Sequence, residues 1–190
     1  MSSKVSLWGT CIYEVKGLTK LLEGINCQVI EWNAEQNLIV DLHIIALSAE
    51  PLLFWGGLIE NMYDISRIKC KGVLILAPSQ LSNLKLFPPH VSVIDGGISL
   101  DEMKYEILRY LRKINCKTHN NMLERDSYIE FMMDLHEIEM LIDKNKNKNK
   151  NITYYRRKLF KHTGIKNYHV LKVAFPHCSM SDLLNKTKNS

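Results

Sequence analysis

The chain is 190 residues long, 46% of its residues are hydrophobic, and its net charge is +5. This is the composition of an ordinary globular protein of one domain or two small ones. The sequence contains neither the roughly 18 consecutive apolar residues of a membrane span nor the basic and apolar stretches of a signal peptide. Five cysteines, odd in number and without a C-x-x-C pair, disfavour a disulfide framework and a zinc site. We therefore expect a soluble protein of the reducing cytoplasm.

Residues 1–116 alternate between apolar runs and amphipathic segments. Apolar, partly β-branched runs predict five strands, at residues 5–11, 27–32, 38–47, 72–76 and 91–94. Helical spacing of apolar residues predicts helices over residues 15–25 and 51–67, and Ser99 with Glu102 forms a capping-box pattern before a third helix. Strands that alternate with helices indicate an α/β domain with a doubly wound parallel sheet.

The order of these elements resembles that of response-regulator receivers, but the residues that phosphoryl transfer requires are missing. A receiver holds Mg²⁺ through an acid pair after its first strand, where this chain has LWGT at residues 7–10. The phosphoacceptor position falls on Ala46, the expected hydroxyl on Ala77, and the expected lysine on residues 95–97. We interpret Asp41 as a solvated residue at a strand edge. The resemblance implies a receiver-like domain that is not phosphorylated in the ordinary way.

A polar stretch without periodicity, residues 117–126, predicts a linker. Ser127 and Glu130 can cap a following helix that runs to about Ile142, and a short amphipathic helix is expected from Tyr168 to Phe175. The predicted domains are a degenerate receiver-like domain at 1–116, a small all-α domain at 127–178 after the linker, and a frayed tail at 179–190.

Positive charge is concentrated in the second part of the chain. Residues 1–116 carry 11 Lys/Arg and 12 Asp/Glu, whereas residues 117–190 carry 14 and 8. The segment from Lys144 to Lys172 contains ten Lys/Arg and no carboxylate, which predicts a polyanionic partner such as nucleic acid. A charge run of this kind is also compatible with a solvated surface that binds nothing.

The middle of this basic segment has the pattern of a helix with two different faces. The apolar face is formed by Ile152, Tyr155 and Leu159, and the cationic face by Tyr154, Arg157, Lys158 and Lys161. Gly164 follows, and glycine tolerates the left-handed conformation that ends many helices. A helix with one cationic, hydrogen-bonding face is suited to the DNA major groove.

The segment from Leu135 to Phe175 resembles the C-terminal helix-turn-helix of LuxR/FixJ-type transcription regulators. HEIEML is similar to the first helix of that family, and ITYYRRKLFKHTGIKN to its recognition helix. The runs CIYEVKGLTKLL and GVLILAPSQLSNLK are similar to the auxiliary RcsA/GadE/EcpR kind, whose receiver-like domains are not phosphorylated. The resemblance implies a regulator that binds double-stranded DNA, either as a homodimer or with an RcsB-like response regulator.

Matching positions in the family imply which residues face DNA. Arg157 and Lys158 would contact base edges, and Arg156 and Lys161 phosphates. With Lys150 at the end of the lysine–asparagine repeat, the predicted DNA-binding residues are Lys150, Thr153, Tyr154, Arg156, Arg157, Lys158 and Lys161.

The chain departs from the family between Leu141 and Ile152. Ten residues lie there, fewer than half the usual number, and the scaffold helix that buttresses the recognition helix should lie in that gap. The KNKNKNKN run has no apolar face, and Asn is a poor helix former. Two alternatives therefore stay open: an interaction protein that modulates a partner regulator without specific DNA binding, and a nonspecific nucleic-acid binder.

No pattern of enzymatic chemistry is evident. The seven histidines lack metal-ligand spacing, the Gly-Gly pairs are not part of a phosphate loop, and no nucleophile lies in a recognisable relation to a base. We expect neither an enzyme nor a cofactor, metal or small-molecule ligand.

Overall fold

The computed structural model describes residues 2–32, 39–58, 69–85, 87, 91–115, 140, 153–154, 157, 159–161 and 163–175. The strands among them are β1 (Lys4–Gly9), β2 (Gln28–Glu31), β3 (Ile39–Ala46), β4 (Lys69–Ala77) and β5 (Val91–Asp95). The helices are α1 (Ile12–Glu23), α2 (Leu100–Asn115) and α3 (Tyr168–Ala174), with 3-10 helices at Leu52–Phe54 and Ser79–Leu81. In this part of the chain, no helix has the length and apolar character that a membrane crossing needs.

The five strands form one parallel sheet with the order β2-β1-β3-β4-β5. This is the flavodoxin-like order of doubly wound sheets. β3 pairs with β1 on one side and β4 on the other, and its residues are buried almost throughout. The predicted α/β fold with a parallel sheet is confirmed, and the third strand lies in its middle.

The start of α2 agrees with its sequence prediction, and the start of β4 does not. The capping box before α2 is present, because the backbone nitrogen of Ser99 donates to the Glu102 carboxylate at 3.0 Å and the nitrogen of Glu102 donates to the Ser99 hydroxyl at 3.3 Å. β4, in contrast, begins three residues before its predicted start. Polar Lys69 and Lys71 conceal the strand pattern there, although Lys69 and Cys70 pair in register with β3.

The first face of the sheet is covered by α1 and α2. Leu18 and Leu22 of α1 and a stripe of α2 pack on the side chains of β1, β3 and β4 that point to this face. The stripe of α2 consists of four aliphatic or methionine side chains and one tyrosine: Met103, Ile107, Tyr110, Leu111 and Ile114. Helices can cover this face because parallel strands carry apolar side chains on both faces of the sheet.

The second face of the sheet is covered in part by the C-terminal residues. The buried cluster on this face includes Ile45, Ile75 and Trp55. The same cluster contains five residues from the C-terminal part of the chain: Leu159, Ile165, Leu171, Ala174 and Phe175. The described C-terminal residues therefore share the hydrophobic core of the α/β sheet.

The predicted domain boundaries stay predictions. The linker at 117–126, most of the predicted helix at 127–142 and the tail at 179–190 lie outside the described residues. The described C-terminal residues pack on the sheet. Their apolar side chains, which the sequence assigned to a small separate domain, belong to the core of the α/β domain.

Candidate nucleic-acid interface

The carboxyl ends of the parallel strands are the usual ligand-binding edge of a doubly wound fold. The positions compared with a receiver lie at this edge, since β1 ends at Gly9, β3 at Ala46, β4 at Ala77 and β5 at Asp95. The methyl groups of Ala46 and Ala77 are fully buried and carry no oxygen that could accept or bind a phosphoryl group.

A carboxylate that the sequence comparison missed closes this edge. Glu14, in the first turn of α1, accepts hydrogen bonds from the backbone and hydroxyl of Ser48 (3.2 and 2.5 Å) and from the backbone of Ala49 (3.4 Å). It thus lies between the carboxyl ends of β1 and β3, where flavodoxin-like folds hold their ligand. Its sequence signal was an acidic residue in the first turn of a helix, a position that the helix dipole favours.

The loop after β5 packs against the loop after β3 at the same edge. A side-chain carbon added at Gly96 would lie 2.0 Å from the Cβ atom of Ser48, so the loops after β3 and β5 are in direct contact. Asp95 accepts hydrogen bonds from the Ser79 hydroxyl at 2.9 Å and the Gly97 backbone at 2.8 Å. Among the described residues, no group of three side chains could hold a metal ion. The edge is built from internal hydrogen bonds.

Asp41 forms an ion pair that the sequence did not predict. Its carboxylate pairs with Lys71 Nζ at 2.6 Å and accepts a hydrogen bond from the Lys4 backbone at 2.9 Å. Burial raises the pKa of Asp41, but the hydrogen bonds and charges of Lys71 and Lys4 outweigh burial and lower it below 3.8. Asp41 is therefore an ion-paired structural residue that joins β1, β3 and β4; it is partly exposed, as expected, but it lies on the central strand of the sheet.

The basic segment has the helical conformation and the two faces that its pattern predicted, as far as it is described. The described residues of this stretch, namely 153–154, 157, 159–161 and 163, are helical. Leu159 and Thr163 are fully buried. Thr153, Tyr154, Arg157 and Lys161 are exposed, Tyr154 to 64%. We call these described helical residues, 153–154, 157, 159–161 and 163, the basic helix.

The end of the basic helix follows the predicted glycine motif. Gly164 has φ +78°, and its nitrogen donates to the Phe160 carbonyl at 2.9 Å. The Thr163 hydroxyl donates to the Leu159 carbonyl at 2.9 Å and accepts from the Ile165 nitrogen at 3.2 Å. This buried hydroxyl is thus satisfied within the turn that leads from the basic helix toward α3.

The loop between β4 and β5 holds the end of the basic helix. The Lys85 nitrogen donates to the Thr163 carbonyl at 2.9 Å. A side-chain carbon added at Gly164 would lie 1.9 Å from the Asn83 carbonyl oxygen, so only glycine permits this approach. The basic helix is therefore fixed to the sheet by a hydrogen bond, a close backbone contact and its buried side chains.

α3 continues the C-terminal layer on the second face. The Asn167 side chain caps it by accepting hydrogen bonds from the backbone of His169 (2.9 Å) and Val170 (3.4 Å). The far end of α3 reaches the segment after β3, where a side-chain carbon at Gly56 would lie 3.1 Å from the Ala174 carbonyl oxygen. The predicted helix from Tyr168 to Phe175 is confirmed with an end one residue earlier.

The predicted DNA-binding residues fall into two groups. Thr153, Tyr154, Arg157 and Lys161 lie on the exposed side of the basic helix. Lys150, Arg156 and Lys158 lie outside the described residues, as do Ile152 and Tyr155 of the apolar face and the scaffold region before them.

No protein-family model, curated protein or solved structure matches this chain, so its likeness to LuxR-type regulators stays a proposal that rests on its own residues.

Proposed function

We propose that this protein is a DNA-binding transcription regulator whose α/β domain is receiver-like and is not controlled by phosphorylation. It acts as a homodimer or with an RcsB-like response regulator. The observation that carries the proposal is the basic helix, which buries Leu159 and Thr163 on the sheet while its cationic side remains exposed.

The dimensions of the basic helix suit a major groove. Tyr154, Arg157 and Lys161 follow the spacing i, i+3, i+7, so their side chains share one face over about 10 Å of helix. The groove is about 12 Å wide, which accommodates one helix with its side chains. Arg157 can donate two parallel hydrogen bonds to a guanine edge, and Lys161 can neutralise a phosphate.

The sheet can support the basic helix, for which the sequence leaves little room for a scaffold helix. A recognition helix needs a rigid support, because a loosely held helix cannot place its donors at base edges. The described residues show such a support, since Leu159 and Ile165 belong to the same core as β3 and β4, and Lys85 holds the last turn. In this proposal the second face of the sheet replaces the short scaffold region as the buttress.

The absence of phosphoryl chemistry also supports the proposal. Alanines stand at the ends of β3 and β4, and Glu14 occupies the space between the loops of β1 and β3. Regulation would then come from the amount of the protein or from its partner, with no contribution from a covalent signal on the sheet edge.

The proposal is tested by replacing two cationic residues of the basic helix. Arg157→Ala with Lys161→Ala should abolish promoter peaks in genome-wide binding of a tagged protein and weaken binding to the recovered duplex at least tenfold, because one good base contact contributes about 1–3 kcal/mol. The matched control is Lys16→Ala with Lys104→Ala, which removes two exposed lysines from α1 and α2 on the other face of the sheet. Peaks that survive in the first variant, or an equal loss in the control, would contradict the proposal.

A second candidate, an interaction protein, is favoured by exposed apolar side chains on the first-face helices. Tyr13 and Ile12 of α1 are 84% and 60% exposed, and Leu100 and Tyr105 of α2 are 75% and 63% exposed. Residues of this kind are typical of protein-binding surfaces. If this candidate is right, regulation in the host persists in the Arg157/Lys161 variant and disappears in Tyr13→Ser.

A further inference from the structure

The loop that carries Lys85 lies directly beside the end of the basic helix. The Lys85 nitrogen donates to the Thr163 carbonyl, which fixes the Lys85 backbone to the last helical turn. The stem of the Lys85 side chain also lies beside Gly164, since a side-chain carbon added at Gly164 would lie 3.1 Å from Lys85 Cγ. Lys85 belongs to the α/β part of the chain, yet its position is set by the basic helix.

The charge of Lys85 is not compensated nearby in the described structure. Its side chain is exposed, and the ion pairs among the described residues join Lys71 to Asp41 and Arg109 to Glu106. Neither the loop from residue 78 to 87 nor the segment from residue 144 to 172 contains an Asp or Glu. Lys85 therefore extends the positive surface of the basic helix onto the sheet.

When a helix lies in the major groove, its position determines which part of the DNA the residues beside it face. The helix and its side chains, about 10–12 Å across, fill the groove, so residues beside the helix meet the phosphates at the groove edges. Lys85 is such a neighbour. Lysine is a mobile point charge on a flexible stem and suits a phosphate better than a base edge.

We propose that Lys85 binds a DNA phosphate, so that the α/β domain contributes directly to the DNA interface. This inference rests on the proposed function and adds a residue that the family resemblance did not indicate. The contact neutralises one phosphate without reading sequence, and it positions the basic helix along the duplex.

The experiment measures the binding constant of the full-length protein for one duplex over a range of salt concentrations. Log K falls with log salt with a slope of about −0.9 per phosphate contact, so Lys85→Gln should make the slope less negative by about 0.9 and should weaken binding roughly tenfold at 0.1 M salt. Lys85→Arg keeps the charge and should keep the wild-type slope. Lys104→Gln removes one exposed lysine from α2 and should also keep it.

The outcomes separate this inference from the proposed function. If the wild type binds and Arg157→Ala with Lys161→Ala weakens binding, but Lys85→Gln keeps the wild-type slope, only the role of Lys85 is overturned. A slope that becomes equally shallow in Lys104→Gln would also overturn it, because the effect would then follow net charge alone. If the wild type binds no duplex, the proposed function fails, and the role of Lys85 fails with it.

Discussion

Acid should destabilise this protein through His43, which lies in the middle of the sheet. His43 on β3 is 2% exposed, and neither ring nitrogen has a hydrogen-bond partner among the described residues. Burial lowers the pKa of His43 to about 4, although the backbone of Ser6 on β1 raises it slightly in the opposite direction. The Ser6 backbone does not form a hydrogen bond with either ring nitrogen. The imidazole is therefore neutral in the folded protein at every pH above about 4.

The magnitude follows from the difference between the folded and unfolded states. The unfolded chain titrates near pH 6.5, so it binds the proton before the folded chain does as the pH falls. The free energy of unfolding should be almost unaffected above about pH 7.5, should fall by about 2 kcal/mol by pH 5, and should have lost about 3 kcal/mol by pH 4. This is a large part of the roughly 5–15 kcal/mol that stabilises a typical domain.

Urea denaturation at pH 7.5 and pH 5 measures this effect. The wild type and His169→Gln, which changes an exposed histidine, should both lose about 2 kcal/mol between the two conditions. His43→Leu should lose almost none, and at pH 7.5 it should be about 1 kcal/mol more stable, since it removes unsatisfied buried nitrogens. Asp41 does not interfere, because its lowered pKa confines its effect to pH below about 4. A His43→Leu variant with the wild-type pH dependence would refute the argument.

Two further predictions concern the contact at the helix end and the sheet edge. Gly164→Ala should lower the free energy of unfolding by about 2 kcal/mol or more in urea denaturation, because alanine is strained at φ +78° and meets the Asn83 carbonyl. Gly17→Ala, in open space within α1, should instead raise it by up to about 1 kcal/mol, and equal behaviour of the two variants would contradict the contact. Incubation with acetyl phosphate and Mg²⁺ should leave the intact mass unchanged, since Ala46 and Ala77 carry no oxygen on their side chains; a phosphorylated species would show that another residue accepts the group.

Elements with a strong local pattern were predictable. The GVLIL run lies inside β4, the capping box begins α2, and Gly164 ends the basic helix. In each case the signal lies within a few neighbouring residues, and the physical cause is local: burial of a strand on both faces, reciprocal capping, or freedom at positive φ.

Contacts between distant segments were not predictable from the pattern. Glu14 closes the sheet edge through Ser48, 34 residues away, and a single acidic residue in a first turn does not reveal its acceptor role. The ion pair of Asp41 was not predicted because its partner Lys71 lies on a strand 30 residues later. The apolar face of the basic helix was correctly assigned at Leu159, but periodicity shows which side of a helix is covered and does not show what covers it.

The packing of the C-terminal residues on the second face has a consequence for synthesis. The ribosome makes the strands first, so the part of the sheet that Leu159, Ile165 and Leu171 cover in the finished protein is exposed to solvent until almost the whole chain has emerged. A message truncated before residue 159 would therefore yield a protein that exposes apolar strands and is prone to aggregate. The proposed DNA-binding surface and the completed core would form in the same step, so that molecules released without the basic helix would be recognised by chaperones and proteases as unfinished.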